Sequence, residues 1–447
     1  MSKLLNKGQI NLLALNLQKP SAIHIACYGN FTQAKAHEFV VAKGNIIELL
    51  RPDETGKLIS ICSTSVFAVI RSILPFRLAG GSKDYLIIGS DSGKISVTEF
   101  DTISNDWKVI HCETFGKTGC RRIVPGQFLA ADPKGRAIMV GAIEKQKFVY
   151  VMNRDSANRL TISSPQEAHK ADTFTFSMCG VDVGFENPIF ACIEIEKTEL
   201  DASPDVEKKL TYYELDLGLN HVVRKWSETI SRTAYMLFTV PGGDDGPSGV
   251  IICEENWISF KHIGHEDIRA PIPRRAYLPQ ERGVLITNGA IHRRKDSFFY
   301  VFQSEHGDLF KCTLILNPIN KKIVIDIVLS VLDTIQSCNS ICMSRSGLLF
   351  GASEFGNHML FQFIGMGDDK NAIKSNKLKD ELNMTLGDDS LSAATVAPMF
   401  TPSTTLKNLN VTDEINSLAP ITDMLVENMS NMTNMSNTTT TGDDNTP

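Results

Sequence analysis

Tyr85-Leu-Ile-Ile-Gly-Ser-Asp-Ser-Gly93-Lys-Ile-Ser-Val97 reads as an apolar run, a tight polar turn and a second run with strand alternation. The unit returns as Phe299-Tyr-Val-Phe-Gln-Ser-Glu-His-Gly307-Asp-Leu-Phe310 and as Leu349-Phe-Gly-Ala-Ser-Glu-Phe-Gly356-Asn-His-Met-Leu360. Each centre is Ser, then Asp or Glu, any residue, then Gly. Acidic residues and Gly form turns, and Gly takes positive φ without a steric cost. Weaker copies lie at 40–50, 137–150 and 251–260, and 189–195 pairs with 210–215 across a polar loop at 197–209. The turn centres fall near 44, 92, 145, 202, 255, 306 and 355, so the period is close to 50 residues. An apolar strand precedes each hairpin, as in Val66-Phe-Ala-Val-Ile-Arg-Ser-Ile-Leu74. A more polar one follows, as in Trp107-Lys-Val-Ile-His-Cys-Glu113. Four strands per unit and seven units predict an all-β chain, a seven-bladed β-propeller of four-stranded antiparallel blades. The Trp-Asp dipeptide of the commonest propeller repeat is absent, which marks a divergent propeller. An array of β-sandwiches explains the even spacing less well.

Outward from the hairpins, the boundaries follow. Residues 1–20 read as an N-terminal extension and 21–417 as the propeller, with 366–404 a long polar loop inside the last blade. Thr405-Leu-Lys-Asn-Leu-Asn-Val-Thr412 has a strand pattern and supplies the outer strand of the seventh blade, delayed by that loop. Residues 428–447 form a disordered C-terminal tail, since 428–441 contain only Asn, Met, Ser and Thr.

The 447 residues are 42% hydrophobic and 21% charged, with a net charge of -6. That apolar share supports an ordered core and excludes wholesale disorder. The mild acidity argues against a dedicated nucleic-acid binder. Ten cysteines are scattered singly, apart from Cys338 and Cys342, and no second pair completes a zinc set. They read as buried free thiols in a reducing compartment. No apolar run reaches the length of a membrane span, so a soluble, intracellular protein is expected.

The search for catalytic chemistry returns little. Gly116-Lys-Thr118 resembles the end of a phosphate-binding loop, but His111 stands where the motif needs its first Gly. In Gly89-Ser-Asp-Ser-Gly93 the nucleophile position holds Asp91, so a hairpin turn is the better reading. The histidines form no metal-binding helix pair. Asp244-Asp245, in a Gly/Pro-rich loop, reads as loop solvation. Neither a catalytic residue nor a cofactor or metal ligand emerges, and no enzymatic activity is expected. Two stretches are basic: 116–170 holds ten Lys/Arg against four acids, and 269–295 holds seven against Glu281. Arg121, Arg122, Lys134, Arg136, Lys145, Lys147, Arg274, Arg275, Arg293 and Arg294 are therefore candidate partner-contact residues. An acidic protein partner suits them better than nucleic acid, because aromatic residues are not interleaved with the charges.

Longer stretches carry a resemblance. They are 113–137 with Gly126-Gln-Phe-Leu-Ala-Ala-Asp-Pro-Lys-Gly-Arg136, Leu160-Thr-Ile-Ser-Ser-Pro-Gln-Glu-Ala-His-Lys170, Gly180-Val-Asp-Val-Gly-Phe-Glu-Asn-Pro188, 213–225, Val240-Pro-Gly-Gly-Asp-Asp-Gly-Pro-Ser-Gly-Val250 and Ser353-Glu-Phe-Gly-Asn-His358. Over about residues 10–425 the chain closely resembles the splicing factor 3B subunit 3 family. Wider relatives are the damaged-DNA-binding and polyadenylation-factor propeller proteins. The resemblance implies the first of three propellers in a longer, non-catalytic scaffold of the U2 small nuclear ribonucleoprotein. It implies a nuclear location and a role in branch-site recognition. The implied partners are the helical-repeat largest subunit and a small subunit of splicing factor 3B, with RNA contact at most indirect or to the backbone. The alternative is a propeller adaptor of a cullin-type ubiquitin ligase or a DNA-damage-recognition complex. On this reading 418–427 is the orphan first strand of a following propeller.

Overall fold

The computed structural model describes residues 18–114, 127–143, 146–157, 159–168, 173–196, 206–294, 297–367, 373–374, 397–418, 423 and 425. Seven antiparallel sheets follow one another along the chain, each built on four strands in sequence order, with a fifth short strand added in blades three and six. Blade one is typical, with strands Ile25–Gly29, Glu38–Lys43, Ile46–Pro52 and Leu58–Ser65. The hairpins read from sequence are strands two and three of each blade, as in Tyr85–Ser90 with Lys94–Asp101. The propeller expectation is therefore met. Among the described residues there is no helix, and so none long and apolar enough to cross a membrane.

The first strands are Ile25–Gly29, Ile70–Phe76, Leu129–Ala131, Thr173–Val181, Met236–Thr239, Ile286–Arg293 and Ser340–Met343. They adjoin one another around the ring, including those of blades seven and one. Second strands such as Tyr85–Ser90 are covered on both faces by neighbouring blades, so they are apolar throughout. Fourth strands such as Asp106–Thr114 face solvent and alternate. Seven hydrophobic clusters result, one at each seam between blades. Cys27, Cys192, Cys253, Cys312, Cys338 and Cys342 are buried free thiols in these layers, while Cys112 is exposed.

The Ser-acid-x-Gly turns close as expected at Gly93 and Gly307, where the Gly N–H donates back to the Ser carbonyl at 3.1 and 2.9 Å. Gly307 sits at φ 87°, and a Cβ there would stand 1.9 Å from the Ile335 carbonyl oxygen. Gly356 departs from the pattern and is not in the left-handed region. Its turn is held by the His358 ring, whose Nδ1 accepts from the Ser353 N–H at 3.1 Å.

The fourth strand of blade seven is Leu409–Ile415, which overlaps the stretch Thr405–Thr412 read as that strand but begins four residues later. The preceding insertion is no free excursion where it is described. Ile373–Lys374 pairs with Leu329 and Val328 at the edge of blade six. Met399–Phe400 runs parallel to Arg274–Arg275. The Asp333 carboxylate then accepts the N–H groups of Lys407, Asn408 and Leu409 at 2.8–2.9 Å and fixes the return. Residues 1–17 and most of 419–447 lie outside the described residues, and with them the orphan strand and tail.

Among the described residues no strand is shared across the closure of the ring. Blades seven and one meet through packing, with Phe39 and Phe350 rings 5.5 Å apart. Ser340 Oγ accepts from the Ala26 N–H at 3.1 Å and donates to the Ala26 carbonyl at 3.2 Å. Asp413 accepts the Leu58 N–H at 2.7 Å.

Candidate functional site

The loops joining strands one and two all open on one face of the ring, because every first strand runs the same way. A cavity of about 560 Å³ occupies the channel mouth there, bordered by Tyr28, Asn30, Arg77, Asp132, Thr239 and Arg345 among others.

Charged groups tie these loops together from blade to blade. Arg77 donates to both oxygens of Asp84 at 2.7 and 2.8 Å, and Asp84 accepts the Asn30 N–H of blade one at 2.7 Å. Arg136 holds Asp132 at 2.8 and 3.0 Å and reaches the Glu186 and Gly184 carbonyls of blade four. Asp182, whose side chain is fully buried, lies 3.5 Å from Lys134 and 3.4 Å from Arg293. The same two cations reach Asp245 at 3.7 and 2.5 Å. This quartet joins blades three, four, five and six. Gly242 lets the loops approach: a Cβ there would stand 1.6 Å from the Asp182 carbonyl oxygen. Asp245, read from sequence as loop solvation, is thus an ion-pair member.

The basic candidates divide by placement. Lys147 is 1% exposed, with Nζ 2.8 Å from Glu194 and 2.5 Å from the Thr173 hydroxyl. Burial pushes the Glu194 carboxyl up, but Lys147 and the Thr211 and Thr173 hydroxyls outweigh it and hold its pKa below the usual range. Arg274 is 3% exposed and donates to Asn256 Oδ1 and to the Pro279 and Arg282 carbonyls. Both residues are interior groups, which corrects their place among the surface contacts. Arg275 and Arg136 are bidentate partners of Asp308 and Asp132, with little of either guanidinium exposed. Lys134 and Arg293 are at the loop face but engaged in the quartet. Arg294 is exposed there. Arg121, Arg122 and Lys145 lie outside the described residues.

Sequence reasoning missed Arg345, which stands alone in a weakly charged stretch, and Asp182, whose only signal was its place between a strand and Gly184. Among the described residues no three His, Cys, Asp or Glu side chains converge as metal donors.

Contiguous four-stranded blades, a closure without strand exchange and an insertion strapped to blade six define a divergent seven-bladed propeller. Residues 22–416 match the family described as the RSE1/DDB1/CPSF1 first beta-propeller, and the chain belongs to that family. It is 50% identical over 426 residues to Spliceosome-associated protein 130 A of Arabidopsis thaliana, covering 94% of this chain and 34% of the relative. It is 48% identical over 430 residues to Splicing factor 3B subunit 3 of Danio rerio, with the same coverage. Pre-mRNA-splicing factor rse1 of Emericella nidulans is 44% identical over 432 residues, covering 94% and 35%. The chain therefore spans about a third of the length of these relatives.

Proposed function

We propose that this propeller is a non-catalytic, nuclear protein-interaction scaffold of the splicing factor 3B type. It acts within the U2 small nuclear ribonucleoprotein in pre-mRNA splicing and supports branch-site recognition. The observation that carries this reading is identity of 48–50% across nearly the whole chain to proteins named for the spliceosome. The geometry fits it. A ring whose loops are locked to one another by ion pairs presents a pre-ordered face, which lowers the entropy lost on binding a partner. Partners are other splicing factor 3B subunits, among them the helical-repeat largest subunit and a small subunit. Contact with RNA is indirect or limited to its backbone.

The test is affinity purification of the tagged full chain from nuclear extract, with mass spectrometry of what it retains. Splicing factor 3B subunits are the expected result. Retention of cullin-type ligase subunits in their place would overturn the reading in favour of an adaptor. Reproducible turnover of ATP, an ester or RNA, abolished by one channel substitution, would overturn the non-catalytic part.

A further inference from the structure

Arg294 and Arg345 occupy the loops between strands one and two of blades six and seven, and both are exposed. Four other arginines of this face hold a carboxylate: Arg51 with Glu38, Arg77 with Asp84, Arg136 with Asp132, Arg293 with Asp245. Arg294 and Arg345 have no carboxylate partner among the described residues. The buried His292 imidazole feels both of them. Burial lowers its pKa first, and the two guanidiniums lower it further against a hydrogen bond with the Arg345 backbone. His292 is itself stacked on Phe299, with ring centroids 5.1 Å apart.

Beside Arg294 a cavity of about 350 Å³ opens between blades six and seven, where Phe299, Met343, Phe363 and Ile364 share the lining with Ser297, Ser346 and Gln362. Ile364 is 66% exposed. Arg345 borders the channel mouth and lies in the chain between Met343 and Ser346, which line this recess, so both cations stand at the same corner.

We propose that this corner binds an acidic segment of a partner protein, with carboxylates on Arg294 and Arg345 and one apolar side chain in the recess. Charge complementarity sets the occupant. Two cations without a carboxylate partner among the described residues favour carboxylates, which a guanidinium holds in a bidentate pair. The apolar wall of the recess has no counterpart in a nucleic-acid backbone, and His292 already covers Phe299 as a stacking platform. The inference rests on the reading of the propeller as a protein-interaction ring and names the surface used.

The test uses the purified full chain and a fluorescein-labelled peptide, Glu-Glu-Asp-Leu-Glu-Asp, followed by anisotropy. Arg294→Glu with Arg345→Glu is expected to weaken binding at least about tenfold, more steeply at low salt. The double Lys variant should retain most of the affinity. Lys94→Glu, an exposed change on the opposite face, should leave it unaltered. Ile364→Asp should weaken the Leu peptide but not a version with Ser in place of Leu. Matching thermal melts establish that the variants fold. The proposal is overturned if the charge-reversed chain binds the peptide as well as the unmodified one, or if no binding is seen at millimolar peptide. It is also overturned if a uridine oligomer displaces the peptide with higher affinity and the same arginine dependence. The peptide reports on this corner alone, so its failure is distinguishable from a failure to retain splicing subunits from extract.

Discussion

Lys147 and Glu194 place a full ion pair inside the seam between blades three and four, with the Tyr213 hydroxyl donating to the carboxylate at 3.0 Å. Removing one member strands the other in a site with little water. Glu194→Ala should therefore destabilise the fold by roughly 3–5 kcal/mol, whereas Lys147→Met combined with Glu194→Leu should recover much of the loss. Urea denaturation of the three proteins decides this, and a double variant no more stable than Glu194→Ala would overturn the argument. The imidazoles make a second residue-level case. His358 accepts at Nδ1 from the Ser353 N–H and donates from Nε2 to the Ser21 carbonyl at 2.9 Å, an assignment that requires the neutral ring. Burial lowers its pKa, and burial with His265 pushes His262 down to about 4. An unfolded histidine titrates near ~6.5. Above that pH neither state gains a proton. Below it the unfolded chain binds protons that the folded ring refuses until about pH 4 at His262, so stability falls through this window. The urea midpoint should drop between pH 7.5 and 5, and His358→Gln should flatten the dependence. A midpoint that rises on acidification would reverse the sign of the argument.

The delayed strand Leu409–Ile415 completes blade seven against His358–Phe363, and Asp333 clamps its first residues. Ending the chain after Leu418 should leave the melting temperature unchanged. Ending it after Ser403 removes this strand and the Asp413 bond to Leu58, and should abolish cooperative unfolding. Circular dichroism of the two truncations checks both outcomes. The element scale is also where the sequence was most legible. Alternation and turn chemistry are local, so the seven hairpins could be located, and the outer strand could be placed beyond a long loop. The strap at Met399–Phe400 could not, because two residues pairing with Arg274–Arg275 carry no periodicity. For the candidate site less was readable. Charge density along the chain does not reveal direction, and Lys147 points into a seam toward Glu194, 47 residues away. Arg345, by contrast, belongs to no charged run, and that it has no carboxylate partner among the described residues is visible only in three dimensions.

Each of the seven apolar clusters lies between blades, so each blade depends on its two neighbours and none has a core of its own. The seam between blades seven and one is held by side-chain packing and a few polar contacts, which makes it a sensitive place to test that dependence. Phe350→Ala should leave a cavity there and destabilise the ring by about 3–5 kcal/mol. Trp107, Trp226 and Trp257 lie in blades two, four and five, away from this seam. Their fluorescence should shift with the same lowered midpoint as the circular dichroism if the ring unfolds as a unit. Two separated transitions would show that the seam opens independently.

The same seam brings Ser21 and Leu418 together, with the Leu418 N–H donating to Ser21 Oγ at 2.9 Å. The path into the ring and the path out of it therefore touch at one point. Mechanically, the propeller hangs from the polypeptide like a bead on a closed loop, and removing it would leave a gap of only a few ångströms to bridge. A stretching force applied to both ends would not shear the whole ring. It would peel the outer strand of blade seven from one side and the first strand of blade one from the other, like a zip opened at its clasp.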